Sequence, residues 1–123
     1  MSDVAVEKLP EKEQAVPSLW RSTLKKIADL YAKGKAAAGD GIRPIDAETL
    51  TYNSGNLQAY PELIGPLSDR AWETSIYVWE RDYWQVLVDL ITVQGNTSDL
   101  VLHVRVYEVS GGYEFEAGLI YVP

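Results

Sequence analysis

His103 is the only histidine in this 123-residue chain. An imidazole beside carboxylates can move a proton or bind a metal ion. Strand alternation predicts that His103 shares a sheet face with Asp89 and with Glu114 or Glu116. Charged neighbours on adjacent strands are more commonly structural ion pairs than metal ligands. We therefore interpret this group as part of a charged surface and expect neither a metal ion nor another cofactor.

The remaining residues offer few groups for catalysis. The chain has no cysteine, which excludes thiol nucleophiles, disulfide bonds and cysteine zinc sites. It also contains no phosphate-binding glycine motif and no serine in a nucleophile elbow. Asp99 follows Thr97 and Ser98, and we expect it to lock a turn rather than to line a pocket, because such side chains accept backbone N–H groups. The sequence thus favours a function other than catalysis.

Five aromatic residues occur within thirteen positions: Trp72, Tyr77, Trp79, Tyr83 and Trp84. Tyr77 and Trp79 alternate with Ile76 and Val78, and we expect the two aromatic side chains to lie outside the main core. Trp and Tyr are enriched among the residues that anchor protein interfaces. One alternative is a second small core beneath residues 36–71. Another is stacking on single-stranded bases, which is disfavoured because such sites need a cationic groove.

The charge balance restricts the class of partner. Eleven Lys and Arg residues against 18 Asp and Glu residues give a net charge of −7, which repels both nucleic acid and anionic membranes. The first ten residues have neither the positively charged region nor the apolar region of a secretory signal. No apolar run in the sequence is long enough to span a membrane. We therefore expect a cytoplasmic protein that binds neither nucleic acid nor membrane.

The elements that must position these residues form one predicted α+β domain at 16–123, preceded by a disordered acidic arm at 1–15. Apolar residues at helical spacing predict an amphipathic helix with Ser18 as its N-cap and Gly34 near its end. Those apolar residues are Trp20, Leu24, Ile27, Ala28 and Tyr31. Glycine and proline interrupt residues 36–71, so only short helical turns are expected there, at 46–50 and 61–64.

The last fifty residues are rich in β-branched and aromatic side chains and predict four strands, at 73–79, 84–92, 99–109 and 113–122. The short connections between them require antiparallel neighbours. The predicted fold is therefore one long N-terminal amphipathic helix packed on a four-stranded antiparallel meander.

Alternation assigns one face of this sheet to the core. The core side chains would be Trp84, Val86, Val88, Leu90, Leu100, Leu102, Val104, Val106, Tyr113, Phe115, Ala117 and Leu119. The opposite face, which includes Gly118 and Ile120 in the last strand, mixes aliphatic, aromatic and charged residues. Soluble monomers rarely leave such a surface in water. We expect it either to be covered by residues 36–71 or to meet a partner.

The segment WQVLVDLIT at 84–92, followed by GNTSDLVL at 95–102, resembles a small bacterial family of domains of unknown function with the core W-x-V-x-V-D-L-x-T…S-D-L-x-L. This resemblance implies no activity. The layout of helix and meander is also similar to the NTF2-like fold, which implies a pocket between helix and sheet. By size and acidity the chain is similar to immunity proteins, which implies inhibition of a toxin by charge mimicry.

We therefore predict a non-enzymatic protein-binding domain, of which an immunity-type inhibitor is one instance. Its partner would be another protein or a second copy of the chain. The alternative is an NTF2-like small-molecule or enzymatic pocket that uses Asp89, Asp99 or His103. The predicted binding surface consists of Tyr77, Trp79, Leu87, Asp89, Ile91, His103, Tyr107, Glu114 and Glu116.

Overall fold

A five-stranded antiparallel sheet and three helices make up residues 3–35 and 39–123, which the computed structural model describes. The strands follow one another in chain order across the sheet. This confirms the α+β class and the meander, whereas the predicted counts of four strands and one helix were wrong. The elements are β1 (Gln14–Ala15), α1 (Ser18–Ala32), α2 (Ala47–Ala59), α3 (Asp69–Trp72), β2 (Ile76–Trp79), β3 (Trp84–Ile91), β4 (Thr97–Val109) and β5 (Gly112–Tyr121).

The main core lies between α1 and one face of the sheet. The predicted apolar stripe of α1 is buried, and so are the predicted core residues of β3 and β4. Trp20 is fully buried, and its ring makes edge contacts with Tyr77 and Trp84, each at 5.3 Å between centroids. Such aromatic pairs contribute about 1 kcal/mol each beyond the area that they bury. These contacts fix which face of the sheet α1 covers.

The ends of α1 follow the sequence only in part. The helix begins at Ser18, and Pro17 rather than Ser18 occupies the N-cap position. The Ser18 hydroxyl instead accepts a hydrogen bond from the Val4 N–H at 2.8 Å. The hydroxyl that was predicted to cap α1 therefore binds the N-terminal segment. At the other end Gly34 has φ +66°, the left-handed conformation that was predicted to end the helix.

The N-terminal segment lies against the sheet. The hydroxyl of the buried Tyr77 donates to the Ala5 carbonyl at 3.2 Å and accepts from the Glu7 N–H at 2.9 Å. The indole N–H of Trp84 donates to the Glu7 carbonyl at 2.9 Å. Residues of the predicted arm at 1–15 therefore satisfy polar groups of the core. Residues 1–2 lie outside the described part, and the division into arm and domain stays a prediction.

The predicted turn at 46–50 is the start of a much longer helix, α2. Its first turn is capped as expected, because the Asp46 carboxylate accepts from the Thr49 N–H at 2.8 Å. The helix then continues through Gly55, although glycine costs about 1 kcal/mol within a helix. Packing of Leu50 and Leu57 against the core offsets that cost.

The other predictions for the middle of the chain were less accurate. The segment 61–64 forms no helical turn, because Ile64 makes a β-bridge with Thr92 at the end of the sheet. The short helix α3 was not predicted, and it places Ala71 and Trp72 in the core. Residues 36–38 of the predicted irregular segment lie outside the described residues.

Two asparagines of α2 bind the outer edge of β5. The side chain of the buried Asn53 accepts from the Ile120 N–H at 2.7 Å and donates to the Gly118 carbonyl at 2.9 Å. The Asn56 amide donates to the Ile120 carbonyl at 2.7 Å. Free backbone groups at a sheet edge can pair with other chains. Here side chains take the place of a further strand.

We predict that Asn53→Ala lowers the free energy of unfolding by about 2 kcal/mol, because the buried N–H of Ile120 loses its partner. Urea denaturation measures this loss. The matched control on the same helix is Gln58→Ala, at an exposed position, which we expect to change stability by less than about 0.5 kcal/mol. Equal effects of the two substitutions would contradict the prediction.

Candidate functional site

The sheet face opposite α1 brings together described side chains of aliphatic, aromatic and charged character. We call it the open face, because the described helices pack on the other side of the sheet. It is formed by the outward residues of β2, β3, β4 and β5. They include Ile76, Val78, Gln85, Leu87, Asp89, the buried Val101, His103, Arg105, Tyr107, Glu114, Glu116 and Leu119.

The centre of the open face is uncharged and largely aliphatic. Leu87 of β3 pairs with Ile76 of β2 on one side and with His103 of β4 on the other. In β5 the register shifts beside His103, so that Gly118 and Leu119 lie between the paired residues Ala117 and Ile120. Such a β-bulge re-aims the side chains that follow it.

Because of the bulge, Leu119 and Ile120 of β5 lie on the faces opposite to those predicted. Leu119 was expected in the core, but it lies on the open face and is 42% exposed, whereas Ile120 is buried in the core. Gly118 permits the bulge because a Cβ atom there would lie 2.6 Å from the carbonyl oxygen of His103. The close approach of the two backbones thus requires glycine.

His103 lies in a shallow depression of about 320 Å³, together with Arg105, Glu116 and Leu119. Its Nε2 atom is buried and has no hydrogen-bond partner among the described residues. Burial lowers the pKa of His103 below its ordinary value of 6.5, the charge of Arg105 lowers it further, and Glu116 opposes the shift. The imidazole is therefore neutral at pH 7.

Two arginines and two tyrosines lie at one end of the open face. The Arg43 guanidinium stacks 4.0 Å above the Tyr107 ring and forms ion pairs with Glu114 and, at 3.2 Å, with Glu116. These partners raise the pKa of Arg43. The Arg105 guanidinium lies 4.8 Å from the centre of the Tyr83 ring. Because Arg43 engages both glutamates, they do not form the proton-shuttling or metal-binding group with His103 that the sequence had suggested.

Asp89 lies at the other end of the open face. Its Oδ2 atom accepts from the Thr74 hydroxyl at 2.5 Å, and its backbone N–H donates to the Ser75 hydroxyl at 2.9 Å. Within 3–35 and 39–123, the Asp89 carboxylate forms no ion pair. The Thr74 hydroxyl therefore holds the carboxylate in place, and the Ser75 hydroxyl holds the backbone beside it.

Six of the nine predicted binding residues lie on the open face: Leu87, Asp89, His103, Tyr107, Glu114 and Glu116. The predicted placement of Tyr77 and Trp79 outside the main core was wrong. Tyr77 pairs with Val86 and Trp79 pairs with Trp84, so both point to the core side of the sheet. Tyr77 is 1% exposed, and Trp79 packs half-buried with its ring 4.7 Å from that of Trp84.

Ile91 was also predicted on the binding surface, and it is buried in the core. The register of β3 and β4 shifts between Asp89 and Ile91, which breaks the simple alternation of faces. In addition, the Gly65 N–H donates to the Ile91 carbonyl at 2.8 Å, so a neighbouring segment covers this end of the strand.

The predicted binding surface left out several residues of the open face and of its border. Arg105 and Leu119 belong to the open face, and Arg43 and Tyr83 contact it. The alternation of side chains along β4 had already placed Arg105 on this face, so Arg105 could have been included in the predicted binding surface. Arg43 carried no such signal, because it reaches the face only through pairing of residues 41–43 with Phe115 at the outer edge of β5.

The space between α1 and the sheet is filled, so the pocket implied by an NTF2-like fold is not found there. Trp20 and the sheet aromatics occupy that space, and Asp89 and His103 lie on the opposite face. Asp99 is exposed, and its backbone N–H donates to the Tyr60 hydroxyl at 3.0 Å. The predicted turn lock is supplied by Ser98, whose hydroxyl binds the backbone of Leu90 and Leu100.

No group of three or more His, Asp or Glu side chains that could bind a metal ion occurs among residues 3–35 and 39–123. In the same residues, each helix is too short or too polar to cross a membrane.

Comparison with known proteins gives one match. The family model described as "Domain of unknown function (DUF7668)" matches residues 28–123, which include α2, α3 and the strands of the open face. No curated protein and no solved structure matches the chain.

We predict that the free energy of unfolding falls as the pH is lowered from about 7.0 to about 5.5, because the unfolded chain protonates His103 more readily than the folded protein does. No other side chain has an ordinary pKa in this range. Urea denaturation at both pH values measures the change, and His103→Gln should reduce it. An unchanged pH dependence in His103→Gln would show that burial of this imidazole does not disfavour its protonation.

Proposed function

This chain belongs to the DUF7668 family, whose function is unknown, and we propose that it is a non-enzymatic protein-binding domain that uses the open face. The observation that carries the proposal is the open face itself. A whole side of the sheet presents aliphatic, aromatic and charged groups, and the described helices all pack on the other side. Surfaces of this composition on soluble proteins are commonly sites of interaction.

The arrangement of groups on the open face supports this proposal. Ile76, Leu87 and Leu119 form an aliphatic centre, and the charged residues lie towards the ends. Protein interfaces have the same organisation, with an apolar centre and a polar rim. The ion pairs of Arg43 already hold two rim glutamates in fixed positions. Less side-chain entropy is then lost on binding.

The same contacts favour binding over catalysis. A general acid or base must reach the proton that it transfers. The Nε2 atom of His103 is buried, and Glu114 and Glu116 are engaged by Arg43. Glu114 and Glu116 are thus directed towards Arg43 rather than towards a substrate.

An immunity-type inhibitor is one instance of this proposal, and the net charge of −7 would steer it towards a cationic toxin. The open face is nearly balanced in charge, since Arg43 and Arg105 lie among Asp89, Glu114 and Glu116. Charge mimicry would therefore need a different surface. The open face fits a partner that recognises shape and a few charges.

We predict that Leu87→Lys weakens binding of a protein partner through the open face. The substitution places a charge in the aliphatic centre, and loss of a central contact costs about 2 kcal/mol, or about thirtyfold in affinity. The immobilised chain and its variants are incubated with a lysate of the source organism, and the retained proteins are quantified by mass spectrometry.

The matched control is Leu63→Lys, which makes the same substitution at a position that is 76% exposed and outside the strands of the open face. A protein that the unaltered chain and this control retain equally, and that Leu87→Lys loses, supports the proposal. Equal retention by Leu87→Lys contradicts it. Thermal unfolding of each variant shows that the compared proteins are folded.

A further inference from the structure

Two charges on the open face have no ion-pair partner in the described part of the chain. They are the carboxylate of Asp89 on β3 and the guanidinium of Arg105 on β4. Glu116 is the cross-strand neighbour of Arg105, but Glu116 pairs with Arg43. Arg105 instead lies over the Tyr83 ring and hydrogen-bonds Tyr107, and the nearby charge of Glu116 contributes to raising the pKa of Arg105. A carboxylate and a guanidinium that form no ion pair among the described residues thus lie on one surface.

The strand register places these charges symmetrically about one residue pair. Asp89 pairs with Val101, Leu87 pairs with His103, and Gln85 pairs with Arg105. The Leu87–His103 pair therefore lies midway between the charges, which are separated by about 14 Å along the strands and about 5 Å across them. A two-fold axis in the plane of the face, drawn through this pair and perpendicular to the line between the charges, exchanges their positions.

We infer that the partner bound by the open face is a second copy of this chain, joined through a two-fold interface in which Arg105 of each copy meets Asp89 of the other. This inference rests on the proposed function. It identifies the partner from charge complementarity, because a two-fold interface requires a surface that matches itself. The sheets would then stack face to face, as in a β-sandwich.

The side chains near the axis are compatible with such a pairing. Leu87 and His103 of each copy would meet at the axis, with Ile76 and Leu119 beside them. These side chains are uncharged at pH 7, so no like charges face one another there. The two charges that form no ion pair among the described residues would each gain a partner of opposite sign.

The size of the open face predicts a weak dimer. Four strands about 4.8 Å apart and four rows of outward residues about 6.8 Å apart give about 500 Å² on each copy. Two copies would bury about 1,000 Å², which is near the lower limit for a specific interface. We therefore expect a dissociation constant on the order of micromolar, a concentration range in which centrifugation detects both the monomer and the dimer.

Sedimentation velocity of the purified chain tests this inference, over about 1 to 200 µM protein and in about 0.15 M salt to screen the repulsion between two anionic copies. Arg105→Asp alone and Asp89→Arg alone each place like charges together at both contacts. Each should weaken self-association at least tenfold. The exposed residue Lys25 on α1 provides the matched control, and Lys25→Asp should leave self-association unchanged.

An equimolar mixture of the two variants separates lost pairing from misfolding. In the mixed dimer both contacts again join opposite charges, so association should return towards that of the unaltered chain. The double variant, with both substitutions in one chain, should also dimerise. A monomer at every concentration, or no recovery in the mixture, would overturn the inference.

These outcomes are distinct from failure of the proposed function. If the purified chain is monomeric but Leu87→Lys loses a captured protein, the second copy is ruled out and binding through the open face remains. If the chain dimerises and neither Leu87→Lys nor the charge reversals affect the dimer, a different surface mediates association, and the inference is wrong.

Discussion

The packing of Trp20 against the aromatic side chains of the sheet is the interaction on which the rest of the structure depends. Its ring contacts side chains from β2, β3 and β5, so one residue joins α1 to three strands. This contact commits one face of the sheet to the core. Among residues 3–35 and 39–123, the second long helix, α2, packs beside α1 and along β5 and leaves the other face uncovered. The side of the sheet that does not face the core is therefore left as the open face.

The sequence correctly predicted which residues are buried in those elements that have only one apolar face. In β3, apolar side chains alternate with Gln85 and Asp89, and the predicted core residues of this strand are buried. In β2, by contrast, Ile76 and Tyr77 are both apolar enough for the core, so alternation alone could not say which points inward. The continuation of α2 through Gly55 was equally hidden, since tertiary packing offsets the local cost of glycine.

The candidate site was predictable to the extent that it follows from strand alternation. Leu87 and His103 lie where the period of two places them. The contribution of Arg43 depends on long-range pairing between a loop and Phe115, which no local pattern encodes. Leu119 reaches the open face through a bulge that a single glycine permits. One inserted residue reverses every later side chain in a strand, so errors of this kind extend to the end of β5.

The covered edges of the sheet limit how the molecule can assemble. At β5 the carboxamides of Asn53 and Asn56 occupy backbone groups, and at β2 the N-terminal segment pairs with the outer side through β1 and through Pro10 beside Trp79. Ordered growth into filaments requires a surface that remains free after each addition. With these parts of both edges occupied, stacking through the open face consumes the surface that it uses. Such an assembly closes at two subunits and leaves no open face for a third.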